Sequence, residues 1–301
     1  DLDSLKRLED GGAPAVVIHS LFEEQIEVEA DNLGHYFEHG AESHAEALSY
    51  YPSHDEYILG PEAYLEHIRK AKESLSIPVV GSLNGVSTGG WTEYAAKIEE
   101  AGADALELNV YYLPTDPRLT GEAVEAVYYN IVSEVRSRVS IPLAVKIGPF
   151  FSSMVNFAKK LEEAGENGLS LFNRFYQPLI NPSELTVDPH LALSTPSEIL
   201  LPLRWIAILR EHTGMTLSAT SGVHSEMDAL RLTMAGADVT HVCAVILKEG
   251  PAAIGRIRDR LAQWLEEHEY ASLSEARGSM SQENCPEPAA FERANYMKAV
   301  H

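Results

Sequence analysis

The chain has 301 residues, 45% of them hydrophobic and 23% charged, enough for one large globular domain or two small ones with a full core. It carries 23 Lys and Arg residues against 45 Asp and Glu residues, a formal net charge of −22. That acidic balance disfavours nucleic acid and anionic membranes as partners, although backbone N–H groups can still hold a phosphate locally. Its only cysteines, Cys243 and Cys285, give neither a disulfide framework nor a thiolate metal cluster. With no signal peptide and no apolar run of about 20 residues, we predict a cytoplasmic protein.

Short β-rich runs alternate with helical segments along the chain. The predicted strands are, in chain order, residues 15–21, 78–84, 105–112, 142–148, 168–175, 216–223 and 239–246. The segments between them carry apolar residues at helical spacing, and Gly or Pro stands near many of their ends. Strands that alternate with helices indicate βαβ units and a parallel sheet.

One helix-to-strand junction recurs three times, as "EEAGADAL", "EEAGENGL" and "TMAGADVT". Each predicts a helix that ends at Gly and is followed at once by a strand. Seven strands are visible, whereas a closed barrel needs eight, and the chain opens with a helical pattern that leads into the first run. We therefore predict an α/β protein, a (β/α)8 TIM barrel whose first strand is absent from this chain. The alternative is a doubly wound open sheet, which is disfavoured because no GxGxxG follows a strand.

Two segments fall outside the repeat. We predict a single barrel domain over residues 1–267, with an acidic insertion at 22–58 and a tail at 268–301 that packs on the barrel. Long loops after barrel strands lie on the catalytic face, so the insertion is predicted to be a lid. Three of its histidines fall near helical metal-ligand spacing: His35, His39 and His44. A solvated acidic helix explains them better, and we predict no metal site.

The stretch "ALELNVYYLPTDP" (105–117) reads as a strand with one polar and one apolar face. In a barrel, alternate strand residues point inward, which directs Glu107, Asn109 and Tyr111 to the interior. Other strands offer matching polar groups near their ends: His19, Ser82, Asn84, Lys146, Asn173, Thr220 and Ser221. Asn, Lys and Ser around one barrel mouth suit a planar, hydrogen-bonding ligand better than a metal.

The residues alone leave the roles of these groups open. Lys146 can form a structural ion pair with Glu107 or serve as an imine-forming amine. Asn84, Asn109 and Asn173 can each offer a donor and an acceptor to a heteroaromatic ring, or can tie loops together.

Five segments in order resemble the dihydroorotate dehydrogenase family of flavin enzymes. "LELNVYYLP" is similar to that family's E-L-N-x-S-C-P-N segment, and "IPLAVKIGPFF" to its P-L-x-V-K-L-x-P strand. "SLFNRF" stands where the family has V-N-(S/T), and "SLSEARGSM" resembles the tail segment that ends in F-R-G. "SGVHSEMDALRLTMAGADVTHVCAVILKEGP" is similar to the family's phosphate-binding run. In the family, a further strand precedes the helix with which this chain begins.

The resemblance implies an FMN-dependent oxidoreductase that exchanges hydride at a C–C bond of a small substrate, of which a pyrimidine is one candidate. It also implies a homodimer. Because the sequence shows neither a Cys-rich segment nor an amphipathic N-terminal helix, we expect a soluble electron acceptor. Lys146 would stabilise the reduced flavin, and the turns after the last two strands would hold its phosphate. The implied cofactor-binding residues are His19, Asn84, Asn109, Lys146, Asn173, Ser221, Gly222, Cys243 and Ala244. The implied substrate-binding residues are Asn109, Tyr111 and Asn173.

The chain departs from the family pattern at the reacting groups. Tyr112 stands at the catalytic Cys or Ser base, Pro114 at an orotate-binding Asn, and His19 at a Lys. We assign Tyr112 and Lys146 as catalytic, but a phenol with a pKa near 10 is a poor base at neutral pH. Tyr112 can instead act as an acid or form an aromatic wall, and Asp116 is an alternative base.

Two other functions stay open. One is a flavin-free barrel enzyme that acts on a phosphorylated substrate through Lys146. The other is a non-catalytic paralogue that keeps the barrel as a binding module.

Overall fold

The computed structural model describes residues 1–27, 60–87, 89–174, 177–190 and 192–292. Most of the predicted lid, with its three histidines His35, His39 and His44, lies outside the described residues, as does the end of the tail.

Helices cover one side of a sheet built from short strands. The described helices are α1 (Leu2–Asp10), α2 (Pro61–Ser74), α3 (Glu93–Glu100), α4 (Gly121–Arg138), α5 (Met154–Glu163), α6 (Leu200–Leu209), α7 (Glu226–Ala235), α8 (Ala244–Glu249), α9 (Ala252–Glu267), α10 (Leu273–Ala276) and α11 (Ala289–Glu292). The strands are β1 (Val16–Val17), β2 (Leu21–Phe22), β3 (Val79–Asn84), β4 (Ala105–Asn109), β5 (Leu143–Ile147), β6 (Gly168–Leu171), β7 (Gln177–Asn181), β8 (Thr186–His190), β9 (Thr216–Ala219) and β10 (Val239–Thr240).

The main sheet is parallel throughout and has the strand order β1-β3-β4-β5-β6-β9-β10, with β2 also paired to β3. This is the strand order of a (β/α)8 barrel, and each of the seven predicted strands is present. Within the described residues, β10 and β1 each have one neighbour and are not paired to each other, so one barrel position is missing there. The antiparallel hairpin β7–β8 is an addition that the sequence patterns did not predict.

Several predicted strands are longer than the observed ones: β4, β6 and β9 end at Asn109, Leu171 and Ala219, three or four residues before the predicted ends. The last predicted run, 239–246, is a strand only to Thr240, because Ala244 already begins helix α8. The first predicted run is split into β1 and β2 by residues 18–20, of which Ile18 still donates its N–H to the Val80 carbonyl of β3 at 3.0 Å.

The hydroxyl of Tyr64 fills the gap between β1 and β2. This fully buried side chain of α2 donates a hydrogen bond to the Ser82 carbonyl at 3.0 Å and accepts one from the Ser82 N–H at 2.9 Å. Burial, together with the negative charge of Glu107, raises the pKa of Tyr64. The phenol thus stays a neutral donor and replaces two bonds of the sheet ladder.

Replacing Tyr64 by Phe should destabilise the protein by about 2–4 kcal/mol, because two buried backbone groups lose their partner. Urea denaturation measures the loss. Tyr129→Phe is the matched control, since its hydroxyl only bonds Glu125 one turn away on α4, and it should change stability by less than about 0.5 kcal/mol. Equal losses in the two variants would contradict this role of Tyr64.

The recurring junction motif forms a clamp at the amino-terminal end of the sheet. Its glycines adopt left-handed backbone angles, with φ of +97° at Gly102, +104° at Gly165 and +127° at Gly236. Two residues after each glycine, a side chain accepts a hydrogen bond from the backbone of the preceding barrel strand. The three bonds join Val79 N to Asp104 at 2.7 Å, Leu143 N to Asn167 at 3.0 Å and Leu217 N to Asp238 at 2.9 Å. The repeat therefore encodes strand register as well as helix termination.

Glu166 breaks this repeat, because the equivalent residues Ala103 and Ala237 are buried alanines. Its carboxyl group accepts a hydrogen bond from Val145 N, while Oε2 is buried and has no partner among the described residues. Burial raises the pKa of Glu166 well above its ordinary value. A protonated, neutral side chain is the form that this site stabilises.

This burial predicts an unusual pH dependence of stability. A carboxyl group with a raised pKa in the folded state costs stability as pH rises above its pKa in the unfolded chain, by up to about 1.4 kcal/mol per pH unit. Glu166→Gln keeps an acceptor for Val145 and removes that titration. The melting temperature of the variant, relative to the wild type, should therefore increase as pH rises above the ordinary pKa of a glutamate, until the raised pKa of Glu166 is passed. Glu163→Gln, an exposed neighbour, should show no such trend; a parallel trend would contradict the assignment.

The tail contacts helices α6 and α7. The N–H groups of Gly278, Met280 and Gln282 donate to carbonyls of Thr233, Met234 and Ala207 at 2.8–3.0 Å. Arg277 pairs with Asp238 of the clamp at 2.8 Å. None of the helices described here combines the length and apolar character that crossing a bilayer requires.

Candidate active site

The inner face of the sheet carries a row of polar side chains at its carboxyl end. Asn84, Asn109 and Lys146 are partners in register on the adjacent strands β3, β4 and β5. Their apolar neighbours Leu108 and Val145 are fully buried on the opposite face, under the helices. This alternation follows from the two-residue period of a strand. It brings three of the predicted site residues to one edge of the sheet.

Glu107 is the hub of the polar groups inside the barrel. Its carboxylate accepts from Lys146 Nζ at 2.7 Å and from Ser170 Oγ at 3.3 Å. The Glu107 side chain is only 4% exposed, and that of Lys146 is 23% exposed. Ser170 in turn bonds Ser218 of β9 at 2.6 Å, so a connected polar chain runs across β4, β5, β6 and β9. The ion pair left open by the sequence is present in the structure.

Asn109 carries an unsatisfied acceptor. Its Oδ1 is buried and has no hydrogen-bond partner among the described residues. A buried carbonyl oxygen left unpaired costs about 1–3 kcal/mol, so it marks a position for an N–H donor from a ligand or water.

Asn173 ties the ends of two strands together. Its Nδ2 donates to the carbonyls of Val110 and Lys146, each at 3.1 Å, and the residue is 7% exposed. This is the loop-tying arrangement that the sequence left open. It holds the backbone next to Lys146 in place.

The turn after β9 is a candidate site for an anion. Ser221 and Gly222 are consecutive residues with φ of +71° and +82°. Among the described residues, no hydrogen bond takes up either N–H group. Successive N–H groups in such a turn can converge on an anion. The N–H groups of His224 and Ser225, slightly further along the chain, donate to the Asp228 carboxylate at 3.1 and 2.9 Å.

Cys243 and Ala244 lie at the start of α8, one strand further along the sheet. Cys243 is exposed and Ala244 is buried, and within the described part of the chain no hydrogen bond involves their N–H groups. These two residues and the Ser221–Gly222 turn follow adjacent strands, β10 and β9.

Tyr112 lies against helix α4. It is half-buried against the core, and its phenol lies near Tyr128. Burial, with the nearby Tyr112 as a second cause, raises the pKa of Tyr128 to about 12. No hydrogen bond in the described structure joins Tyr112 to Lys146 or Glu107. The neighbouring Tyr111 is half-buried and also interacts with other groups of the protein.

Asp116, the alternative base, is held by Arg118. The two side chains form an ion pair of 2.6 Å, in which the Arg118 side chain is 87% exposed. Hydrogen bonds from Arg118 lower the pKa of Asp116. The carboxylate is thus committed to a surface contact next to the loop.

His19 faces helix α2 through its ring contacts. It meets Tyr64 edge-on at 5.4 Å and lies 6.2 Å from the ring of His67. Partial burial and, second, His67 lower the pKa of His19. The structure therefore does not group His19 with Lys146 and Asn109 through any contact among the described residues.

His241 belongs to the site, although the sequence analysis did not select it. It directly follows β10, and its N–H donates to the Ala219 carbonyl at 2.8 Å. Burial and the charge of Lys146 lower the pKa of His241, whereas the charge of Glu107 raises it. His241 follows Val239 by two residues, so strand alternation could have predicted that both lie on the inner face. The predicted strand 239–246 was too long, and this position did not stand out within it.

Comparison with known proteins now identifies the family. The profile described as "Dihydroorotate dehydrogenase" matches residues 58–265, more than half of the chain. The chain belongs to the dihydroorotate dehydrogenase family. The matched range includes four of the five segments that carry the sequence resemblance, and the tail segment SLSEARGSM lies beyond it.

Curated members of the dihydroorotate dehydrogenase family are similar over most of the chain. The putative dihydroorotate dehydrogenase A (fumarate) of Aeropyrum pernix is 31% identical over 216 residues, which are 68% of each chain. The catalytic subunit of dihydroorotate dehydrogenase B (NAD(+)) of Thermoplasma volcanium is 25% identical over 225 residues, 73% of each chain. Among solved structures, that of Eimeria tenella dihydroorotate dehydrogenase with ferulenol aligns with a TM-score of 0.54 at 17% identity. It covers 73% of this chain and 67% of that one, and supports the barrel fold.

Among the described residues, no group of three or more His, Cys, Asp or Glu side chains has a metal-binding arrangement. A cavity of about 290 Å³ lies at the opposite end of the barrel, next to Arg210, Met215 and Asp238 of the clamp. This cavity lies at the amino-terminal ends of the strands. The row of polar side chains lies at their carboxyl ends, where the active sites of barrel enzymes form.

Proposed function

We propose that this protein is an FMN-dependent oxidoreductase that exchanges hydride with a C–C bond of a small substrate, with pyrimidines as the first class to test. The observation that carries the proposal is the buried, unpaired Oδ1 of Asn109, in register with Lys146 at the mouth of a dihydroorotate dehydrogenase-family barrel. An isoalloxazine ring offers an N–H donor for such an acceptor and carbonyl oxygens for a nearby ammonium group.

The residues divide into two binding regions. Asn84, Asn109 and Lys146 would hold the ring at the end of β3, β4 and β5. The free N–H groups of the Ser221–Gly222 turn, with those at Cys243 and Ala244, would hold the phosphate.

FMN supplies the hydride acceptor or donor when bound. The protein's part is to orient the ring and to stabilise negative charge on it, which Lys146 does at short range. Asn173 keeps the backbone of Lys146 fixed through its 3.1 Å bond. The substrate would lie against the same mouth, near Asn109, Tyr111 and Asn173.

A visible absorbance spectrum of freshly purified protein tests this function. A flavin band that dithionite bleaches, or stoichiometric uptake of added FMN, is the expected result. Anaerobic bleaching by dihydroorotate or another dihydropyrimidine would then define the substrate. A colourless protein that takes up no FMN would overturn the proposal, and trapping of a carbonyl substrate on Lys146 by borohydride would favour the flavin-free alternative. The engagement of Lys146 Nζ by Glu107 argues against that alternative, because the amine is not presented free.

Tyr112 is proposed as a proton donor in the reductive direction. Hydride transfer to a C=C bond needs a proton at the adjacent carbon, and a phenol is a better acid than base at neutral pH. Tyr112→Phe should keep FMN and lower the rate of substrate reduction about 100-fold or more. Tyr129→Phe, whose hydroxyl bonds Glu125 on α4, serves as the control. An unchanged rate in Tyr112→Phe would leave Tyr112 as a wall of the pocket.

A further inference from the structure

The charge of Lys146 is already neutralised inside the barrel. Its Nζ lies 2.7 Å from Glu107 Oε1, and the Glu107 side chain is almost fully buried. Seen from the mouth, the pair has no net charge, so its attraction for an anion falls off steeply with distance. A further positive charge is needed if the site is to favour an anionic ligand strongly.

His241 is on the inner face beside this pair. Ser218 of β9 and Val239 of β10 are partners in a parallel register, so they share a face, and His241 follows Val239 by two residues. Ser218 lies on the inner face because it bonds Ser170, which bonds Glu107. The polar chain from Glu107 therefore ends on the strand next to His241.

The groups that face His241 determine its charge. Glu107 comes from β4 and Lys146 from β5, while the described residues at β6 and β9 contribute uncharged hydroxyl groups, those of Ser170, Ser218 and Thr220. On its own side, the ammonium of Lys248 is directed to the Ser194 carbonyl at 3.2 Å. Burial favours the neutral imidazole, and its pKa lies below the ordinary value.

We propose that His241 is a positioning residue that sets the net charge of the Glu107–Lys146 site. With a neutral imidazole the three groups carry no net charge. When the imidazole gains a proton, the site carries one positive charge and Glu107 is shared between two cations. An anionic ligand at the mouth is then stabilised by both Lys146 and His241.

The first test needs no cofactor. Histidine ring resonances are followed by NMR through a pH titration of the ligand-free protein, with His241→Gln used to assign the resonance. Glu107→Gln should move the His241 midpoint to lower pH, and Lys146→Met should move it to higher pH. His212→Gln, an exposed residue at the other end of the barrel, should leave it unchanged. If Lys146→Met does not fold, Glu107→Gln alone decides, and a midpoint insensitive to Glu107→Gln overturns the proposal.

The second test measures FMN affinity against pH by flavin fluorescence quenching, and only this step rests on the proposed function. Wild-type affinity should increase on the order of tenfold as pH falls through the His241 midpoint. His241→Gln should abolish that increase while still binding FMN. Retention of the wild-type pH profile in His241→Gln would overturn the role of His241. Absence of FMN binding at every pH, with the NMR shifts as expected, would instead overturn the proposed cofactor and leave the charge cluster established.

Discussion

Lys146→Met should destabilise the protein by about 3–5 kcal/mol, the cost of removing one partner from a buried ion pair. Glu107 is 4% exposed and would keep only the 3.3 Å bond from Ser170 once the ammonium is gone. Urea denaturation with circular dichroism measures the loss. Lys70→Met is the matched control, because that ammonium pairs with Glu66 on the surface of α2 and is 58% exposed. It should change stability by less than about 0.5 kcal/mol.

A second variant separates the two roles of Lys146. Glu107→Gln combined with Lys146→Met removes both charges, and it should recover most of the lost stability because an uncharged pair carries no desolvation penalty. It should not recover FMN, since the ammonium is still absent. Recovery of tight FMN binding in the double variant would show that Lys146 serves the fold alone. Equal stability of Lys146→Met and Lys70→Met would show that the buried pair is not formed.

The pair also explains why a barrel interior can hold a charge at all. A single buried ammonium would pay a large solvation cost, whereas Glu107 and Lys146 compensate each other and Ser170 extends the hydrogen bonding. Lys146 therefore contributes both to the stability of the fold and to the proposed ligand binding. A site of this kind depends on a third group to adjust its net charge, which is the role that His241 can fill.

The strand order and the inner face were predictable from sequence because both follow from short-range patterns. Two-residue alternation in "ALELN" sends Glu107 and Asn109 one way and the apolar residues the other, and β3, β5 and β9 obey the same rule. The repeated junction marked where strands begin. What its Asp104, Asn167 and Asp238 contact was not predictable, because each bond reaches a strand about 21 to 25 residues away.

The β7–β8 hairpin and the pairing of Lys146 could not be predicted from the sequence, for separate physical reasons. The β7–β8 hairpin exposes apolar side chains, since Leu179, Ile180 and Val187 are 57%, 70% and 65% exposed, so inward alternation does not reveal it. Its prolines, Pro178 among them, also weaken a strand signal. The choice between an ion pair and a free Lys146 depended on a 2.7 Å diagonal contact between neighbouring strands, which spacing along the chain does not specify.

Gly222→Ala should cost about 3 kcal/mol or prevent folding. Gly222 has φ of +82°, which costs an alanine about 1–2 kcal/mol. Its Cβ would also lie 2.6 Å from the backbone nitrogen of Ile199 and 2.8 Å from Ile199 Cγ2, so the turn after β9 must move. Displacing that turn should weaken FMN binding as well, because its N–H groups are the proposed phosphate donors. Thermal unfolding and FMN fluorescence titration measure the two effects.

Two further substitutions show whether the backbone conformation is responsible. Gly121→Ala makes the same change at the start of α4, where an added Cβ meets nothing within 4 Å, and it should stabilise the protein by about 0.5 kcal/mol. Ser221→Gly removes a side chain from a residue with φ of +71° and should stabilise by about 1 kcal/mol while FMN still binds. A loss of stability in Ser221→Gly would mean that the turn does not hold Ser221 in the left-handed region. The argument that this turn holds the phosphate would then lose its structural basis, because it depends on the positive φ angles of Ser221 and Gly222.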